Sequence, residues 1–268
     1  MKKKGRVEPM SRTISKWLEE VVSPDPILGP IYRGEKKEYG DIYTHYFFRN
    51  PKRPIIKEDN VFKAPADGIL VSNGIYNVQE DTYTLKGAEF DLPTIIGNNQ
   101  SFWNYLQKEK IKFVQIYSIF MTFYSPHWNR VPIDSQCINR TRMKPLMTTN
   151  MPMVEVEDEI IKEKVFSMSK IEPYYNVNER LCSHYSLING PKNYHYELVQ
   201  IADSEVNRCL AFHNEDEVAR QGDLYGLIMQ GSTCDLILPC KDGVTIENLA
   251  NVGEVFEAGV DNLCKIHY

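Results

Sequence analysis

Between Ser11 and Val22 the apolar positions fall at Ile14, Trp17, Leu18, Val21 and Val22, a spacing that predicts a single apolar stripe along a helix. Arg12, Lys16, Glu19 and Glu20 lie off the stripe, and Ser23-Pro24 ends it, because a residue before proline is pushed out of the helical region. A stripe of this kind packs on the body of its own protein or lies on a membrane interface, here with Trp17 as anchor. Beyond the Gly/Pro-rich connection at Leu28-Gly29-Pro30 the pattern changes. Runs rich in β-branched and aromatic residues alternate with turn residues: Gly68–Val71, Lys112–Tyr124, Met153–Glu157, Tyr196–Ile201 and Leu224–Met229. These read as strands. One internal helix is expected over Pro93–Lys108, carrying Ile95, Ile96, Phe102, Trp103 and Leu106. The expected fold is mainly β (α+β): one β-rich domain of packed sheets with a few helices over residues 47–268, after a basic, amphipathic helical segment over 1–46.

Composition narrows the class. The chain of 268 residues is 42% hydrophobic and 25% charged, enough apolar surface to offset chain entropy, which excludes disorder and low-complexity classes. No apolar run is long enough to span a bilayer as a helix, and the basic start is followed by no apolar signal region. A cytoplasmic protein, peripheral on a membrane at most, is the expectation. The six cysteines are scattered without CxxC spacing and read as reduced thiols, while the six histidines form no ligand motif, so no metal is expected. Residues 1–63 carry 14 Lys+Arg against 9 Asp+Glu and the rest carries 17 against 27. A basic front on an acidic body suits either an anionic lipid surface or a solvated tail, and gives no footprint for nucleic acid.

Four passages could carry chemistry. Phe47-Phe-Arg-Asn-Pro-Lys-Arg-Pro leads to Ala64-Pro-Ala-Asp-Gly, which places Asp67 on a turn entering a strand. His127-Trp-Asn-Arg-Val-Pro follows the apolar run ending at Tyr124, a position suited to an acid–base group. In Gly226-Leu-Ile-Met-Gln-Gly-Ser-Thr a Gly-Ser step lies between two apolar runs, so the Ser232 hydroxyl can attack the unshielded Gly231 carbonyl; a turn or β-bulge is the plain alternative. Val252-Gly-Glu-Val-Phe-Glu-Ala-Gly reads as a structural hairpin, and His184 and His195 match no motif and read as structural.

In this order and spacing the passages resemble the phosphatidylserine decarboxylase family of pyruvoyl enzymes, from about Phe47 to about Gly259. The family's Phe-Phe-Arg-x-Pro, Pro-Ala-Asp-Gly, His-x-Asn-Arg-x-Pro, Asn-Glu-Arg and Gly-x-Ile-x-x-Gly-Ser elements look like Phe47–Pro51, Pro65–Gly68, His127–Pro132, Asn178–Arg180 and Gly226–Ser232, with Asp235–Pro239 after the last. The family's Asp two residues before the histidine is here Ser125, its Gly after Pro-x-x is Ser135, and the second histidine of its longer branch is Arg130.

The resemblance implies a zymogen and a lyase of phospholipid biosynthesis. Asp67 helps Ser232 attack Gly231, the chain is cut into β (1–231) and α (232–268) parts, and Ser232 becomes a covalent pyruvoyl group. That group decarboxylates an amine substrate, phosphatidylserine to phosphatidylethanolamine in the family, with His127 returning a proton and Asn129 and Arg130 orienting the segment or holding substrate. Three other readings stay open at this point: a pyruvoyl decarboxylase of a soluble amino acid, a degenerate member that does not cut itself, raised by Ser125 and Ser135, and a non-catalytic carrier of the biotinyl or lipoyl kind, for which Lys241-Asp-Gly is the one loosely similar attachment place. Homo-oligomerisation is left open.

Overall fold

A strand covered on both faces needs apolar residues at almost every position, and Phe113–Phe120 is such a run. The computed structural model describes residues 12–35, 48–79, 83–85, 88–144, 178–202, 209–229 and 231–268. Its strands are β1 (Arg12–Thr13), β2 (Val61–Lys63), β3 (Gly68–Asn77), β4 (Tyr83–Leu85), β5 (Ala88–Phe90), β6 (Phe113–Phe120), β7 (Trp128–Arg130), β8 (Ser135–Met143) and β9 (Arg180–Leu187). They continue as β10 (His195–Ala202), β11 (Cys209–Ala211), β12 (Val218–Ala219), β13 (Leu224–Ile228), β14 (Gly231–Pro239), β15 (Thr245–Asn248), β16 (Glu254–Phe256) and β17 (Asn262–His267). The helices are α1 (Ile14–Trp17, running on in π geometry over Leu18–Val22), α2 (Leu28–Tyr32), α3 (Leu92–Ile95) and α4 (Gln100–Lys108).

Nine strands make one sheet in the order β1-β16-β3-β6-β14-β10-β9-β8-β12, antiparallel at every rung. Two three-stranded sheets, β11-β13-β7 and β15-β17-β2, and the hairpin β4-β5 complete the strands among the described residues. The strand-rich fold expected from the pattern is what the chain adopts. Side chains alternate between the two faces of the large sheet. On one face Val114, Ile116 and Phe120 of β6 and Ile237 of β14 pack with Ile14, Trp17, Leu18 and Val22 and with Ile95, Phe102 and Leu106 of α3 and α4. On the other, Tyr117 and Ile119 of β6 and Leu236 and Leu238 of β14 pack with Phe62, Tyr225 and Ile266 of the small sheets. Both faces are covered, so β6 reads as a continuous apolar run rather than an alternating one.

The N-terminal stripe lies in the first core: Trp17 and Leu18 are each 7% exposed and Val22 is fully covered. A helix this short is marginal alone; burial of its stripe holds it, and Trp17 touches Tyr124 edge-on rather than serving as a lipid anchor. Three local expectations shift. The helix expected over Pro93–Lys108 breaks into α3 and α4, because Gly97 (φ 58°) and Asn98 (φ 55°) turn left-handed and Asn99 restarts the chain as the N-cap of α4. β6 stops at Phe120, four residues short of Tyr124, where the Thr122 carbonyl accepts the Ser125 N–H and closes a turn. Val252–Gly259 is no hairpin: its middle is β16, inserted between β1 and β3. The strand expected at Met153–Glu157 lies outside the described residues. All six cysteines are free.

His184 and His195 form a structural pair beneath α4: Ser101 Oγ lies 2.8 Å from His184 Nδ1, and His184 Nε2 lies 2.8 Å from His195 Nδ1. Burial first, then the neighbouring charges, lowers His184 to about 3 and His195 to about 4. Both are therefore neutral in the folded state and protonate more readily when unfolded, so their contribution is complete above about 6.5 and is lost as pH falls toward those values. The urea midpoint is expected to fall between about pH 7 and pH 4, and His184→Phe to flatten that slope. Trp17→Ala is expected to lower unfolding free energy by about 3 kcal/mol in the same urea titration; an unchanged midpoint would place Trp17 outside the core.

Candidate active site

The turn before β3 and the start of β14 meet at one edge of the large sheet. Ile69 of β3 and Thr233 of β14 both pair with Phe120 at the end of β6. One residue earlier on each strand lie Gly68 and Ser232, and one earlier still Asp67 and Gly231. Since both strands run antiparallel to β6, their beginnings lie side by side, about 10 Å apart across it. Gly68 is required at this edge, because a Cβ there would overlap the Phe120 carbonyl.

The Gly-Ser step sits in a β-bulge. Ile201 of β10 pairs with Thr233 and the next residue, Ala202, pairs with Gly231, so Ser232 is the extra residue on β14. Asn178-Glu179 braces the opposite side. Ala202 N–H donates to the Glu179 carbonyl at 3.0 Å, and Asn178 Nδ2 donates to the Ala202 carbonyl at 2.9 Å. The third residue of that triplet, Arg180, donates from Nη1 to the Thr94 carbonyl. The Gly231–Ser232 peptide therefore lies where the ladder is locally interrupted, opposite a residue held from behind.

His127, Asn129 and Arg130 come to the same region on β7 and the residue before it. The His127 carbonyl accepts from Ile228 N–H at 3.1 Å, two residues before the undescribed Gln230, and Arg130 N–H donates to the Pro65 carbonyl at 2.8 Å. β7 thus laces the turn holding Asp67 to the strand that leads into the Gly-Ser step. His127 is 1% exposed, and its Nδ1 lies 2.8 Å from the Ser125 carbonyl oxygen. A carbonyl only accepts, so Nδ1 of His127 carries a proton and donates it to that bond. Asn129 is fully buried and its Oδ1 accepts from Gln200 Nε2 at 2.7 Å. Gly226 lets these two amides close up, since a Cβ there would lie 2.5 Å from the Leu210 carbonyl oxygen and 2.7 Å from Gln200 Nε2.

A strap over residues 48–54 is tied to the same region. The Phe48 carbonyl accepts from Trp128 Nε1 at 2.9 Å, and Asn50 Oδ1 accepts from Arg130 Nη2 at 2.8 Å. Arg130 Nη1 donates to the Gly222 carbonyl at 2.8 Å. Arg53 grips Asp67 with both terminal nitrogens, Nη1 to Oδ2 at 2.8 Å and Nη2 to Oδ1. Burial raises the Asp67 carboxyl above the ordinary range and outweighs the opposing pull of Arg53, which makes this carboxylate a stronger base than an exposed one.

The phosphatidylserine decarboxylase family model matches residues 41–262, which spans every element of the site. The chain belongs to the phosphatidylserine decarboxylase family. A phosphatidylserine decarboxylase proenzyme of Carboxydothermus hydrogenoformans is 24% identical over 84% of this chain and 80% of the relative. One of Pelagibacter ubique is 27% identical over the same shares. A putative archaetidylserine decarboxylase proenzyme of Methanocaldococcus jannaschii is 24% identical over 81% of this chain and 87% of the relative.

Membership makes the chain a carboxy-lyase of the decarboxylase proenzyme type, and the site shows how it meets the family's departures. A carboxylate at position 125 would orient His127; here the Ser125 main-chain carbonyl does so, while the Ser125 hydroxyl pairs with Thr122 Oγ1 at 2.9 Å. Ser135 is buried, donating to the Ile133 carbonyl and accepting from the Tyr196 hydroxyl. The carrier reading loses its attachment point, because Lys241 Nζ is tied to Glu109 at 2.7 Å and to the Lys192 and Asn193 carbonyls, whereas a carrier lysine must swing freely. Sequence reasoning passed over Arg53 and Gln200. Gln200 left a trace, as the amide in the apolar run Tyr196–Ile201. Gly226→Ala is expected to slow or stop chain cutting, read on a denaturing gel at matched times; wild-type cutting would show that the close Gln200–Gly226 packing is dispensable.

Proposed function

We propose that this chain is a serine-lipid decarboxylase that matures by cutting itself between Gly231 and Ser232. The observation that carries the reading is the bulge at Ser232, set at the end of the sheet where Asp67 enters and led into by β13, whose Ile228 bonds the His127 carbonyl. In the first stage the Ser232 oxygen bonds to the Gly231 carbonyl carbon as the peptide C–N bond breaks, which turns the amide into an ester. Asp67 takes the hydroxyl proton, a task that its raised basicity suits. Elimination then breaks the Cα–H and Cβ–O bonds of residue 232 and frees 1–231 with Gly231 as its C-terminal carboxylate; the dehydroalanine left at 232 adds water, expels ammonia and becomes the pyruvoyl group that caps Thr233. The residues fit that group: a glycine precedes the serine, the serine is the unpaired residue of a bulge, and a buried carboxylate stands just before β3, across β6 at the same end of the sheet.

The pyruvoyl carbonyl supplies the electron sink for loss of CO₂. The chain's own residues supply the rest. His127, its ring oriented by the Nδ1–H bond to the Ser125 carbonyl, is the group that takes a proton at Nε2 from the substrate ammonium group and returns it after CO₂ departs. Asn129 keeps this segment in register through Gln200, and the two protein bonds of Arg130 favour an orienting role over capture of the substrate carboxylate. Among the described residues no helix is long and apolar enough to cross a membrane, so lipid substrate would be met at a bilayer surface.

Intact-mass spectrometry tests the first stage. Wild-type protein should yield two chains, the smaller beginning at residue 232 and closed to N-terminal sequencing, while Ser232→Ala stays whole. CO₂ release from phosphatidylserine vesicles and from free serine tests the second, with His127→Ala expected to cut normally but release little CO₂. A wild-type chain that stays whole overturns self-cleavage; turnover of free serine and none of the lipid overturns the substrate.

A further inference from the structure

Arg53 lies between Pro51 and Pro54, on a stretch whose backbone the prolines restrict. Its side chain and that of Asp67 are each only 8% exposed. The guanidinium binds both carboxylate oxygens, and Nη1 also donates to the Ala258 carbonyl at 3.1 Å. That third bond anchors the fork to the turn after β16, so the carboxylate is fixed in position as well as paired. A buried ion pair loses hydration that apolar residues of the same size would not lose, so it is weak evidence for stability. Its place matters more: it holds the one carboxylate at the start of β3.

We propose that Arg53 is a positioning residue for self-cleavage: its fork keeps the Asp67 carboxylate ionised and aimed at the sheet edge where β14 begins. The inference rests on the reading of Asp67 as the base that accepts the Ser232 proton. The charges facing Asp67 show why one arginine decides its state. Glu257 and Asp261 disfavour its ionised form, while Arg49 and Arg130 favour it without a hydrogen bond to it. Burial acts in the same direction as the two acids. Without Arg53 the balance shifts toward the protonated carboxyl, which cannot take a proton. The rate of cutting then falls on the acid side, and the limb of its pH profile moves upward.

The test follows the appearance of the 232–268 fragment from freshly synthesised precursor across a pH series. Arg53→Met should cut at high pH but lose cutting on the acid side, its limb displaced upward by about one unit, which is about a tenfold loss of rate at a pH on that limb. Arg53→Lys, which keeps the charge and loses the fork, should fall between Met and wild type. Asp67→Asn should not cut at any pH. Arg53→Met with a wild-type profile, or with a uniformly lower rate matched by a lower melting temperature, overturns the proposal by making the pair merely structural. Should the Met variant fail to fold, folded Arg53→Lys decides: a displaced limb supports the inference and a wild-type profile overturns it. Wild-type cutting by Asp67→Asn is a separate result that removes Asp67 as the base, whatever Arg53 does.

Discussion

β6 lies between β3 and β14 and is antiparallel to both, and the site depends on that one arrangement. It makes β3 and β14 parallel to each other and starts them at the same edge. The turn ending in Asp67 and the strand start at Gly231, far apart in the chain, are thereby brought to the same end of the sheet. The arrangement is held from both faces, since β6 sends Ile116 and Phe120 into the helical side and Tyr117 and Ile119 into the small sheets. Each such side chain contributes on the order of 2 kcal/mol by burial. A register slip of one residue would exchange the two faces, so packing fixes register, and register fixes the site.

Polar groups then refine what the sheet positions roughly. The buried amides of Asn129 and Gln200 bind each other across β7 and β10, in space that only a glycine at 226 leaves. Gln221 does similar work below: it donates to the Val61 and Pro132 carbonyls and accepts from Glu58 N–H, which seams β2 to the loop after β7. Unpaired, such groups would each lose about 1–3 kcal/mol. Paired, they leave β7 a single seating, with His127 at its head.

Strands and turns that depend on local chemistry were legible in the chain. β-branched and aromatic runs marked β3, β6, β10 and β13, Pro65-Ala-Asp-Gly marked the Asp67 turn, and the Gly-Ser step carried a bulge as its plain alternative reading. What escaped reading depends on pairing. The stop of β6 at Phe120 is set by where β3 and β14 begin, and β16 is a strand only because β1 and β3 receive it. The break between α3 and α4 was written in Gly97-Asn98-Asn99, yet the apolar positions on both sides continued the helical spacing. Arg53 looked like a basic residue among prolines. Its partner is fourteen residues on, across a turn that no periodicity describes.

The same topology explains how a chain can be cut in its main sheet and stay one body. After a break at 231, the piece 232–268 keeps β14 between β6 and β10, β16 between β1 and β3, and β17 against β2 and β15. Each ladder bond contributes only about 1 kcal/mol net, but the strands are buried among both cores and are released only if the sheet opens. The proposed cut falls at the start of β14 and within its bulge, where the least pairing is lost. On that reading a residue made reactive at the start of β14 stays fixed between β6 and β10, although the covalent connection that placed it there is gone.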